Sequence, residues 1–210
     1  MLVESTDRLP PYGAEFVMFV LKQGWACLFG GLLLAALIFT NAIWADDWLI
    51  ARYDALLIYA VGIQACMLLF RLETFTEAKV IALFHLTGTA MEFFKVSIGS
   101  WAYPEEAFFM IAGVPLFSGF MYASVGSYIV RVIRIFDITF SPYPPFWLTV
   151  ALAGAIYANF FAHHFIIDTR AMLFVATAII YRRTWITFTV GKTYFMPLPM
   201  DAQSDAADPE

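Results

Sequence analysis

The stretch LFHLTGTAMEFFK, Leu83 to Lys95, sets a histidine, a carboxylate and an ammonium into a run that is otherwise apolar or small. At 100° per residue, His85, Gly88, Thr89, Glu92, Val96 and Gly99 share one helix face, with Lys95 at its margin. The chemistry this allows is proton transfer, with Glu92 as acid or base and Lys95, three residues on, able to tune or neutralise it. His85 lies seven residues earlier, about 10.5 Å along a helix axis, too far to share one metal ion with Glu92 without bridging ligands. The alternative is an internal ion pair and a hydrogen-bonded histidine that only lock helix packing.

Two further stretches carry reactive types. GSWAYPEE contributes Trp101, Tyr103, Glu105 and Glu106, and AHHFIIDTR contributes His163, His164, Asp168 and Arg170. Acids and imidazoles that faced one another could do general acid and base work or bind a divalent cation. Charged residues at a helix–loop boundary also commonly just face water. His163 and His164 point about 100° apart, so at most one faces a bundle, and no metal set is assigned. In GVPLFSGFMYASVGSY, small residues including Ser118, Gly119, Gly126 and Ser127 suit close helix packing. Pro115 is expected to kink that helix and open a pocket beside Ser118 and Tyr122.

The elements that must position these groups are membrane helices. Hydrophobic residues make up 61% of the chain and charged residues 14%, with a mean hydropathy of +0.74. Soluble domains lie near 45–50% and about 25%. A spanning helix needs about 20 mostly apolar residues. Six segments qualify, at 24–44, 53–70, 80–98, 107–130, 146–163 and 171–190, the last interrupted by Arg182 and Arg183. The predicted fold is therefore an all-α polytopic bundle, one membrane domain over 15–198 between an N-terminal tail, 1–14, and a disordered acidic tail, 199–210.

Loop charge sets the orientation. Alternate segments hold nine Lys and Arg (Arg8, Lys22, Arg71, Lys79, Arg131, Arg134, Arg182, Arg183, Lys192) against three (Arg52, Lys95, Arg170), which places both termini in the cytoplasm. Trp44, Trp48, Trp101 and Tyr103 then fall in the opposite interfacial belt, and the loops bearing Trp101 and His163 share that side. The acidic, Pro-containing N-terminus lacks the pattern of a signal peptide, so the first segment is expected to be retained as an anchor. Cys27 and Cys66 lie in apolar runs and read as inert thiols. The scattered basic residues exclude a nucleic-acid surface; the expected partner is the lipid bilayer, and nothing specifies a cofactor or an oligomeric state.

The run from FHLTGTAMEFFK through GSWAYPEE and GVPLFSGFMYASVGSY, with NFFAHHFIIDTR, resembles the YoaT-like family of bacterial multi-pass membrane proteins, domain of unknown function 817, over about 23–197. The resemblance implies a polytopic protein of the bacterial cytoplasmic membrane and carries no activity. Family members continue past MPLP into further spans, so the turn to DAQSDAADPE is expected to mark a C-terminal shortening. The shorter stretch from Glu92 to Leu116 is similar in residue types, though not in order and spacing, to membrane carotenoid hydratases and small lycopene cyclases, whose acids protonate a polyene.

The leading expectation is a membrane-embedded enzyme acting on a lipid or isoprenoid. In it Glu92 is the acid or base, Lys95 tunes it, Trp101 and Tyr103 line the mouth, and His163 or His164 with Asp168 forms a facing wall. His85, Thr89, Glu105, Glu106, Ser118, Tyr122 and Arg170 complete the pocket or pathway. The competing expectations are a proton- or ion-coupled transporter or channel subunit, and a structural or assembly protein.

Overall fold

The computed structural model describes residues 11–45 and 47–190. The acidic tail, the MPLP stretch, Arg8, Asp46 and Lys192 lie outside the described residues. The chain folds into two compact units, the first within 1–137 and rejoined at Thr189, the second Ile138–Phe188. Both are dominated by α-helix, as composition predicts.

The first unit holds α1 (Pro11–Ala26), α2 (Leu28–Ile43), α3 (Arg52–Leu69), α4 (Phe75–Ser97), the hairpin strands β1 (Met110–Ile111) and β2 (Val114–Pro115), and α5 (Ser118–Ile135). Its core joins Phe29 and Leu33 of α2, Leu56, Ala60 and Met67 of α3, Ile81 of α4, and Phe117 and Ala123 beside and within α5. Among the described residues, α3 alone is long and apolar enough to cross a membrane as one helix. α1 and α2 meet the same requirement only together, across a 63° bend at Cys27.

Local sequence explains where α4 begins and ends. Thr74 accepts from the Glu77 backbone N–H at 3.2 Å while the Glu77 carboxylate accepts from the Thr74 N–H at 2.7 Å, a reciprocal cap that satisfies two first-turn donors. At the other end Gly99 takes φ +71°, and Ser100 N–H reaches back to the Lys95 carbonyl at 2.9 Å, closing the helix and turning the chain toward Trp101.

The expected helix over 107–130 begins only at Ser118 and runs to Ile135. Ala112 and Gly113 both adopt positive φ, 48° and 77°, which is the backbone of a two-residue hairpin turn. The turn pairs Ile111 with Val114 and Met110 with Pro115. Pro115 therefore sits in a strand and kinks no helix.

In the second unit α6 (Phe146–Ala162) starts directly after Pro145, and α7 (Arg170–Tyr181) follows a short connection. Strands β3 (Thr139–Ser141) and β4 (Trp185–Thr187) pair antiparallel, Phe140 opposite Ile186. The expected helix over 171–190 thus stops at Tyr181, just before the adjacent Arg182 and Arg183, and gives way to a strand.

Candidate functional site

α4 turns its His85–Glu92 stripe onto α5. A Cβ on Gly88 would overlap the Tyr122 ring, and one on Gly119 would overlap the Thr89 hydroxyl and the His85 ring. These glycines let the two helices approach closely enough for side chains on one to reach the other. His85 is half-buried, edge-on to Phe120 with ring centroids 4.6 Å apart, and Thr89 donates back to the His85 carbonyl at 2.8 Å.

Glu92 is 2% exposed and is gripped by three neutral donors. Oε2 accepts from the Tyr103 hydroxyl at 2.6 Å and from the Trp101 indole N–H at 3.0 Å; Oε1 accepts from the Tyr122 hydroxyl at 2.7 Å. Burial pushes the Tyr103 phenol well above its ordinary range, and the bond it donates to Glu92 adds to that shift. Lys95 Nζ stands over the Trp101 ring, 5.9 Å from its centroid. Ser118, fully buried, lies at the first turn of α5. Sequence-predicted residues from α4, the following connection and α5 thus converge on one carboxylate.

The same connection is held from α3. Arg52 donates Nε to Glu105 at 2.9 Å and NH2 at 2.5 Å. Asp54, 6% exposed, accepts from the backbone N–H of Phe108 at 2.8 Å and of Phe109 at 2.9 Å. Glu106 is exposed.

A second buried carboxylate lies at the opposite end of the α4–α5 pair, and the polarity pattern alone did not single it out. Arg131 and Arg134 are helical residues of α5 rather than loop cations, and Arg131 is completely buried. Glu73 Oε1 accepts from Arg131 NH2 at 2.7 Å and from Ser127 Oγ at 2.6 Å, while Oε2 accepts from Gln64 Nε2 at 2.6 Å. Arg134 pairs with Glu77 at 2.7 Å and donates to the Leu72 carbonyl at 3.0 Å. The signal was present as Ser127, Arg131 and Arg134 at i, i+4 and i+7, one helical face. Ile81, Phe84, Ala123 and Gly126 separate this pair from the Glu92 centre along the seam. An apolar groove of about 380 Å³, lined by Leu28, Leu32, Tyr59, Ile63, Cys66 and Met67 among others, adjoins the Glu73 end.

His163, His164, Asp168 and Arg170 belong to the second unit. His163 Nδ1 lies 2.8 Å from the Phe160 carbonyl and is half-buried; His164 is exposed, the two rings 3.9 Å apart. Asp168 pairs with Arg170 at 2.5 Å, and that hydrogen bond holds its carboxyl well below the usual range. Asn159 Oδ1 accepts from the Thr169 N–H and hydroxyl, fixing the turn between α6 and α7. Among the described residues no group of three or more His, Cys, Asp or Glu is placed to hold a metal ion.

A chain of two helical units with carboxylates sealed inside an apolar bundle matches no solved structure. It belongs to the family described as Protein of unknown function (DUF817), which matches residues 15–204. It is 46% identical over 187 residues, 89% of this chain and 70% of the relative, to the "Uncharacterized protein YoaT" of Bacillus subtilis (strain 168).

Proposed function

We propose that the chain is a multi-pass protein of the bacterial cytoplasmic membrane whose Glu92 centre performs acid and base chemistry on a lipid or isoprenoid substrate. The membrane placement is supported by the polarity of burial. Arg131 and Lys22 are completely buried, with Glu92 and Glu73 at 2–3% exposed, while Ile38, Phe39, Phe75, Phe108 and Phe174 stand 62–85% exposed. In water such apolar exposure costs about 25 cal/mol per Å². In hydrocarbon it costs nothing, and ions must turn inward. On this reading the bent α1–α2 pair, α3, α4, α5, α6 and α7 are the six crossings.

The chemical part is carried by one observation: Glu92 is met by two phenols and an indole. In that setting the carboxylate can take a proton from a hydroxyl group, and the carboxylic acid can return one to an oxygen, without first breaking an ion pair. Comparative lipid analysis of cells carrying wild type or Glu92→Gln tests this. A lipid species that changes with wild type and not with a folded Glu92→Gln protein is the expected result; identical lipids in both contradict it.

A second reading, proton- or ion-coupled transport, draws on the single row of His85, Thr89 and Glu92 against α5. Uptake into proteoliposomes that follows an imposed proton gradient and is lost in Glu92→Gln would favour it. The apolar residues between that row and Glu73 make it the weaker of the two.

A further inference from the structure

We propose that the first turn of α3 is the latch of the Glu92 centre, with Asp54 as a positioning residue that acts through the connection 98–109; the inference rests on Glu92 being the proton-handling group. That connection supplies two of the three donors to Glu92, Trp101 and Tyr103, and contains almost no regular structure of its own. Three consecutive residues of α3 take hold of it at three places. Arg52 pairs with Glu105, Tyr53 stands edge-on to Tyr103 with ring centroids 5.8 Å apart, and Asp54 accepts from two successive backbone N–H groups.

The three holds differ in strength. The Arg52–Glu105 pair is bidentate but partly exposed, 13% and 39%, so solvent and salt screen it. The aromatic side chains at the far end of the connection do not anchor it by burial, because Phe108 is 85% and Phe109 43% exposed. Asp54 is itself buried and spends both oxygens on the main chain, so releasing the segment leaves a buried carboxylate without its donors. Tyr122, in contrast, projects from α5 and is wedged against Gly88. Glu92 therefore has one donor fixed by helix packing and two carried on a strap. Opening the strap exposes the carboxylate; closing it restores the three-donor cradle.

Labelling by dicyclohexylcarbodiimide, a hydrophobic carboxyl reagent, in protein reconstituted into phospholipid vesicles tests the latch, with label at Glu92 read by peptide mass spectrometry. Asp54→Ala is expected to raise the label about tenfold or more, as the loss of two charge-assisted hydrogen bonds implies. Asp54→Asn, which keeps one acceptor oxygen, is expected to give a smaller rise, and it decides the matter if Asp54→Ala does not fold. Arg134→Ala, which weakens the opposite end of the bundle, is expected to leave Glu92 at the wild-type level. No rise in a folded Asp54 variant, or an equal rise in Arg134→Ala, overturns the inference. The label reports access to Glu92 whether or not any lipid is converted, so a failure of the latch and a failure of the acid–base reading give different results.

Discussion

Glu73 and Glu92 stand at opposite ends of one antiparallel helix pair, both at 2–3% exposed, yet they are held by opposite means. Glu73 faces a guanidinium with no exposed surface, supported by Ser127 and Gln64. Glu92 meets hydroxyl and indole groups. A buried charge whose counter-charge is built in has every reason to stay as it is, because neutralising either partner strands the other. A carboxylate ringed by neutral donors strands nothing when a proton arrives. The same helix pair thus carries one carboxylate suited to fixing structure and one suited to exchange.

The largest expected effect breaks the Glu73 side. Arg131→Met leaves Glu73 buried without a cation and is expected to cost about 3–5 kcal/mol in denaturant unfolding in detergent. Adding Glu73→Gln to Arg131→Met should recover most of that loss. A single variant as stable as wild type would erase the distinction between the two ends. Next is Gly88→Ala, whose methyl group overlaps the Tyr122 ring and is expected to cost about 1–3 kcal/mol as the helices part, visible as a lower Tm. Glu92→Gln keeps an acceptor oxygen and is expected to cost only about 1 kcal/mol by the same unfolding measurement. A loss as large as that of Arg131→Met would show that the Glu92 end is equally structural.

The smallest effect is in pH. Tyr103 is harder to ionise folded than unfolded, so the stability it contributes is complete below its unfolded pKa of about 10 and is lost as pH rises beyond it toward the folded value. Unfolding across that alkaline range should show a decline that Tyr103→Phe flattens.

Much of the Glu92 centre was legible in the sequence, because α4 is regular: one 3.6-residue period puts His85, Gly88, Thr89 and Glu92 on a line, and GSWAYPEE follows within ten residues. The small residues of α5 likewise announced close packing. Pro115 misled, since the positive φ values at Ala112 and Gly113 that make a hairpin there are a backbone choice that an apolar run conceals. Arg131 misled more deeply. At the end of an apolar segment a cation reads as a loop anchor, and its partner Glu73 lies 58 residues away on the turn after α3, a pairing only the fold creates. Asp54 was silent for the same reason, because its partners are main-chain N–H groups, which no side-chain pattern records.

The contrast between the two carboxylates is tested most directly by denaturant unfolding of Glu73→Gln and Glu92→Gln side by side, the same change of carboxylate to amide at two equally buried positions. The expected result is a loss of about 3–5 kcal/mol in Glu73→Gln, which strands the buried Arg131 guanidinium, against about 1 kcal/mol in Glu92→Gln, which strands no charge. Equal losses, or the larger loss in Glu92→Gln, would contradict it.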